Sequence, residues 1–208
     1  MKHIAESTVR RLSLYLRFLE EAEALGHQTI SSGELASQGG TTSAQVRKDL
    51  SHFGSFGKRG LGYSVSALSA SLRKILGLAR EWRVIIVGAG KIGAALAQYE
   101  GFRERGFRVV GIYDADAART GGSLDGVPVR DQRMLEADVT TLAPDIALIT
   151  VPAHAAQPLV DRLVKSGMHA ILNFAPTPLL VPADVMLRSV DMALELEILS
   201  YALVNRGA

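Results

Sequence analysis

The chain has 208 residues, 48% of them apolar, with 23 Lys and Arg against 21 Asp and Glu and no cysteine. That length suits one large domain or two small ones with real apolar cores, and the absence of cysteine excludes disulfides, thiolate catalysis, iron–sulfur clusters and Cys-type zinc sites. No N-terminal apolar segment resembles a signal peptide, and no apolar run approaches the roughly 20 residues that span a bilayer, so a cytoplasmic protein without a membrane partner is expected. The net charge of +2 is unevenly spread: residues 1–80 hold 11 bases against 6 acids, residues 81–208 hold 12 against 15. Between positions 35 and 80 the only acid is Asp49, against seven bases. Basic charge concentrated in one third of a chain suits a nucleic-acid-binding module beside a neutral-to-acidic one.

A first helix is expected from Ser7 to Leu25, with Val9, Leu12, Leu16 and Leu19 on its apolar face and Gly26 closing it. Ser31-Ser32-Gly33-Glu34 reads as a capping box opening a short helix. Thr42-Ser43-Ala44-Gln45 reads as a second one, opening a helix that Gly54 closes. Two capped helices joined by a turn at Gly39-Gly40 make a helix-turn-helix. In the second of them Val46, Leu50 and Phe53 share one face, Lys48 lies opposite with Ala44 and Ser51 beside it, and Gln45 and Arg47 flank it. A short helix with a buried seam and an outward basic, small and polar ridge has the shape that enters a DNA major groove. Phe56 to Tyr63 can form a glycine-rich hairpin, a wing tipped by Lys58, Arg59 and Gly60. The candidate DNA-contacting residues are Ser43, Gln45, Arg47, Lys48, Ser51, Lys58, Arg59 and Gly60. Val65 to Leu78 is a further helix, and residues 77–82 form the domain junction.

From Arg83 the pattern becomes alternating strands and helices. Strands are expected at 84–87, 107–114, 127–129, 145–151, 170–174 and 185–190, with helices at 92–99, 155–166 and 193–205. This is a doubly wound, Rossmann-like parallel α/β sheet. Gly88-Ala89-Gly90-Lys91-Ile92-Gly93 matches G-x-G-x-x-G between a β-branched strand and a helix, and Asp114 ends the next strand 21 residues after the third glycine. That context makes a weak motif specific for a dinucleotide. Asp114 can accept hydrogen bonds from the adenosine ribose and repel a 2′-phosphate, which favours NAD(H) over NADP(H). Thr150-Val151-Pro152 and Asn173-Phe174 end two further strands and border the same crevice. Their apolar character suits a neutral dihydronicotinamide better than a cationic nicotinamide.

Two other readings compete: an NAD-dependent dehydrogenase with a small N-terminal extension, and a CoA-binding Rossmann module. Against the first, no Tyr-x-x-x-Lys pair occurs and His154 has no partner acid near the crevice. Against the second stands Asp114, because CoA carries a 3′-phosphate on its ribose. The last helix has a wide apolar surface from Leu194 to Leu203, suited to covering its own sheet or packing on a second subunit.

With Ser31–Ala36, Gln45–Tyr63, the Gly88–Gly93 loop, Asn173–Pro176 and the tail Val190–Tyr201 all in order, the chain resembles the redox-sensing transcriptional repressors of the Rex family over essentially its whole length. The resemblance implies three segments: a winged-helix domain 1–80, an NAD(H)-binding Rossmann domain 81–190, and a domain-swapped dimerisation helix 191–208. It implies a homodimer without enzymatic activity, whose winged helices bind a palindrome of TTGTGA-like half-sites and leave it when NADH, rather than NAD+, closes the dimer. By that likeness Lys48 reads bases, Arg47 holds phosphate and Arg59 enters a narrow minor groove. Arg17, Tyr99 and Asp191 would exchange polar contacts between states, and Met192 would touch the partner's nicotinamide. His52 departs from the tyrosine common before Phe53.

Overall fold

The computed structural model describes residues 4–58 and 61–206, and the chain folds as two compact units, Met1–Arg80 and Glu81–Ala208. The first unit runs α1 (Glu6–Ala24), β1 (Thr29–Ile30), α2 (Ser32–Gln38), α3 (Ser43–Ser51), β2 (Gly57–Lys58), β3 (Gly62–Ser64) and α4 (Val65–Ile75). The three short strands form an antiparallel sheet in the order β1-β3-β2, so the hairpin carrying the wing is anchored to the strand before the helix-turn-helix.

Helix α1 buries Thr8, Leu12, Tyr15, Leu16 and Leu19 against Leu35, Val46, Leu50, Leu68 and Leu72. Leu12, Leu16 and Leu19 of the expected face are fully buried, and Thr8 and Tyr15 widen the stripe on the side away from Val9. Val9, read as part of that face, therefore falls at the rim and is exposed. The box at Ser31 is complete: its Oγ accepts from the Glu34 amide at 3.1 Å and its own amide donates to Glu34 Oε2 at 2.7 Å. The box expected at Thr42 is only half made. Thr42 Oγ1 accepts from the Gln45 amide at 3.1 Å, but the Gln45 side chain turns along the helix to Asp49 instead of back to the cap.

The second unit runs β4 (Trp82–Val87), α5 (Lys91–Ala97), α6 (Glu100–Glu104), β5 (Phe107–Asp114), β6 (Ser123–Leu124), β7 (Val127–Asp131), α7 (Leu135–Leu142), β8 (Ile146–Ile149), α8 (Ala153–Lys165), β9 (Ala170–Asn173), β10 (Met186–Ser189) and α9 (Met192–Val204). The sheet order is β10-β9-β8-β4-β5-β7-β6, and every pairing is parallel except β6–β7. That order reverses between β4 and β8, the place where a doubly wound sheet opens a ligand crevice at its strand C-termini. Side chains alternate between two cores: Ile85, Val87, Ala147, Ile149 and Ile171 face α7 and α8, whereas Val84, Ile86, Ile112 and Leu148 face the other side. Helices α6 and α7 and strand β6 were absent from the sequence reading. Each has eight residues or fewer, too short for helical or strand periodicity to stand out.

Helix α9 does not cover its own sheet. Every residue from Asp191 to Arg206 is exposed, with large apolar side chains from Leu194 (51%) to Val204 (84%) left in water. A 13-residue helix whose apolar residues spread round it, interrupted only by Glu195, Glu197 and Ser200, gains little from solvent and is only marginally stable alone.

Candidate DNA-binding surface and nucleotide site

Val46 and Leu50 bury one face of α3, which leaves Arg47, Lys48 and Ser51 exposed and Ser43 half-buried at its first turn. Arg47 Nη1 donates to Ser32 Oγ at 3.0 Å, so the guanidinium rests on the start of α2, and Ser51 Oγ donates to the Lys48 carbonyl at 2.7 Å. Between α3 and the hairpin lies an open groove lined by Ser31, Ser32, Arg47, Phe56 and Tyr63. The wing residues Arg59 and Gly60 and the side chain of Lys58 lie outside the described residues.

Asp49, the lone acid of its basic stretch and not among the expected site residues, is 1% exposed. Arg11 grips it with two hydrogen bonds, Nε to Oδ2 at 2.6 Å and Nη2 to Oδ1 at 2.7 Å. The Tyr15 hydroxyl donates to Oδ2 at 3.0 Å and Gln45 Nε2 to Oδ1 at 2.8 Å. Burial pushes the Asp49 carboxyl up, but these hydrogen bonds outweigh it and hold the group below the usual carboxylate range. Burial and the bond to Asp49 push the Tyr15 hydroxyl up to about 12. Gln45, grouped with the outward residues from its wheel position, thus spends its amide on locking α3 to α1. The signal was present in the sequence: a single acid in a stretch of seven bases is a candidate for an internal partner.

In the second unit the glycines divide their work. Gly88 has φ 109°, and a Cβ there would lie 2.7 Å from the Thr150 carbonyl oxygen. A Cβ on Gly93 would fall 1.8 Å from the Gly88 carbonyl oxygen, so only glycine lets α5 sit this close to the end of β4. A Cβ on Gly90 would meet nothing within 4 Å, which leaves its backbone open to approach from outside. Thr150 pins the loop across the switch point: its Oγ1 donates to the Gly88 carbonyl at 2.7 Å and its amide to Val87 O at 2.9 Å. Buried Asp114 accepts from the Ala89 amide at 2.6 Å and from the Asp116 amide at 2.8 Å. Lys91 and Ile92 follow Gly90 and are exposed.

Val151 and Phe174 are half-buried beside the crevice and Pro152 is exposed. Asn173 is 1% exposed, and its amide is spent within its own loop: Nδ2 donates to Thr177 O at 3.0 Å and Oδ1 accepts from the Ala175 amide at 2.9 Å. It therefore shapes the crevice wall through the 173–177 turn. Tyr99 is exposed and stacks edge-on against Phe102 at 5.2 Å between ring centroids. Asp191 caps α9, its Oδ1 accepting from the Ala193 amide at 2.9 Å, and Met192 beside it is exposed, as is Arg17 on α1. His169, 3.8 Å from Asp184, precedes β9 and so lies at the opposite end of the sheet from the crevice. Among the described residues there is no cluster of three or more His, Asp or Glu able to hold a metal, and no helix long and apolar enough to cross a membrane.

A winged helix-turn-helix and a Rossmann sheet with a pinned glycine loop define a class: DNA-binding regulators that carry their own nucleotide-binding domain. Comparisons with known proteins agree. Residues 3–51 match the family described as putative DNA-binding protein N-terminus, and residues 79–177 match the CoA binding domain family. The redox-sensing transcriptional repressor Rex of Syntrophomonas wolfei is 51% identical over 205 residues, 98% of each chain. That of Carboxydothermus hydrogenoformans is 48% identical over 198 residues, 95% of each. A crystal structure of RSP with β-NAD+ and operator DNA matches with a TM-score of 0.93 at 39% identity, covering 98% of this chain and 94% of that one. RSP with β-NADH matches at 0.89 and 38%, over 98% and 95%. The chain belongs to the Rex family of redox-sensing transcriptional repressors, and its relatives are named as repressors rather than enzymes.

Proposed function

We propose that this chain is a cytoplasmic repressor that holds a palindromic operator as a homodimer and lets go when NADH binds its second unit. The observation that carries this reading is the coexistence, in one chain, of an exposed basic recognition helix and a glycine loop tied by the Ala89 amide to Asp114, with Gly90 left open. Relatives named as redox-sensing repressors, and a neighbour solved with β-NAD+ and operator DNA, support it. The residues fit an adenine dinucleotide: Gly90 and Lys91 beside the pyrophosphate, Asp114 beside the adenosine ribose, and Val151, Pro152 and Phe174 walling the nicotinamide end. An apolar wall favours the neutral reduced ring, and a ligand that binds one state of the protein better shifts the balance between states by that difference. Typical couplings of about 1–3 kcal/mol correspond to a change in DNA affinity of roughly 5- to 150-fold. Two-fold half-sites make affinity sensitive to the spacing of two recognition helices, which gives rotation within a dimer its leverage. Arg17, Tyr99 and Asp191 are the residues proposed to exchange contacts in that rotation. A gel-shift on a TTGTGA-type palindrome, titrated with NADH and then NAD+, tests the proposal. NADH is expected to release the DNA at concentrations where NAD+ does not, and a complex undisturbed by saturating NADH overturns it.

Lys48→Ala is expected to narrow the gap between operator and random DNA by about 1–3 kcal/mol, the contribution of a good base contact. Arg47→Ala is expected to weaken both alike and to lower the salt slope by about one. Salt-dependent binding isotherms on both DNAs separate the two, and identical behaviour of the variants refutes the assignment of α3.

Helix α9 is proposed as the dimer element, because each of its leucines gains about 1.5–3 kcal/mol when buried and is exposed among the described residues. Leu199→Glu/Leu203→Glu should convert a dimer to a monomer in sedimentation velocity and leave only half-site DNA affinity. A dimer that persists removes α9 from that role.

A further inference from the structure

Asp114 is not a bare carboxylate. Five residues on, in the loop between β5 and β6, Arg119 places Nη1 3.3 Å from Asp114 Oδ2, and its Nε lies 3.7 Å from Asp116 Oδ2. Asp114 is buried, whereas the Arg119 side chain is 50% exposed, so the guanidinium lies over the carboxylate on its solvent side. The loop backbone is shaped around the same acids: the Asp116 amide donates to Asp114 Oδ1 at 2.8 Å and the Ala118 amide to Asp116 Oδ1 at 2.9 Å. In Rossmann sites an acid at the end of this strand takes the adenosine 2′-hydroxyl, while an arginine nearby accommodates a 2′-phosphate. This chain has both, one neutralising the other.

We infer that Arg119 is a specificity-determining residue of the nucleotide site: Asp114 and Asp116 hold it in check, and removing the Asp114 charge turns it into a receptor for the 2′-phosphate of NADPH. The inference rests on the reading of the glycine loop as a dinucleotide site. In the native chain the Asp114 charge opposes a phosphate at the ribose position of that reading, and Arg119 offsets part of the repulsion. Asp114→Asn keeps the shape and the oxygen shared by the Ala89 amide and Arg119, gives up the acceptor of the Asp116 amide, and removes the negative charge that Arg119 offsets. A phosphate dianion then meets a guanidinium whose geometry suits bidentate pairing.

The test is calorimetric titration of NADH and NADPH into the wild-type chain, Asp114→Asn, Arg119→Gln and the double variant. Asp114→Asn should shift the NADPH-to-NADH affinity ratio toward NADPH by about tenfold or more, and the double variant should lose that gain. Arg119→Gln alone should push the ratio the other way, about threefold or more, because Asp114 then repels the phosphate without its counter-ion. An unchanged ratio in both single variants, or a gain in Asp114→Asn that survives loss of Arg119, overturns the inference. Failure of the wild-type chain to bind either nucleotide would strike the dinucleotide reading itself, a result distinct from a wild type that binds NADH while its variants keep the same selectivity.

Discussion

Asp49→Ala is expected to lower the stability of the N-terminal unit by about 3 kcal/mol, the lower end of the roughly 3–5 kcal/mol range for breaking a buried ion pair. The lower end applies because the Arg11 side chain keeps 24% of its surface in water and can re-solvate when its partner goes. The Tyr15 hydroxyl is fully buried and cannot, so it carries most of the penalty. For a unit of this size the melting temperature should fall by about 12 °C or more, read by circular dichroism. A melt within 3 °C of wild type would show that the pair does not hold α3 to α1. Replacing the whole group, as in Arg11→Met/Tyr15→Phe/Asp49→Leu, should recover much of the loss, because it leaves neither an uncompensated charge nor an unpaired hydroxyl inside.

The same cluster sets a pH window. The folded Asp49 carboxyl sits below its ordinary value, so its contribution is present above the usual carboxylate range and fades as the pH falls through the lower folded value. The Tyr15 hydroxyl is raised to about 12, so its contribution is present below its ordinary pKa of 10 and is lost as the pH rises toward 12. Helix α3, the proposed recognition helix, is thus secured across the whole physiological range. Loosening it would move Lys48, and operator affinity should fall along with stability.

The second large effect separates two glycines three residues apart. Gly93→Ala puts a methyl carbon 1.8 Å from the Gly88 carbonyl oxygen and 2.9 Å from Thr150 Oγ1. Backbone cannot yield as a flexible side chain does, so α5 must lift from the end of β4, at a cost of about 1–3 kcal/mol or more. Nucleotide binding should disappear with the loop geometry. Gly90→Ala meets no atom within 4 Å, and φ −70° suits any L-residue. Its stability should stay within about 0.5 kcal/mol of wild type. Its NADH affinity should nonetheless drop by about tenfold or more, because the added methyl occupies the space through which a pyrophosphate reaches the loop amides. Paired thermal melts and NADH titrations on the two variants check this. Normal NADH binding by Gly90→Ala would mean that the loop does not cradle a pyrophosphate.

What the sequence could reveal was everything written in a local code. Strand and helix periodicity, the capping box at Ser31, the alternation of strands and helices after Arg83 and the glycine spacing from Gly88 to Gly93 depend on residues a few positions apart. They were sufficient for the winged helix, the Rossmann sheet and the ends of the strands that border the crevice. The resemblance joined these parts into a regulator, which full-length relatives at about half identity place in the Rex family.

Tertiary structure alone decided which polar side chains look inward. Asp49 meets Arg11 and Tyr15 across 38 and 34 positions, so no local pattern could pair them, and Gln45 was drawn from the outward ridge into the same cluster. The Asn173 side chain binds the backbone of its own turn, and Arg119 reaches Asp114 only because the loop folds back over the strand end. The bare flank of α9 is the counterpart on the apolar side. Composition marked it as a helix in need of cover, and only the folded chain shows that its own sheet does not provide it. Hydrophobic period is a property of neighbours along the chain, whereas the partner of a buried charge or of an apolar face is set by which distant segments pack together.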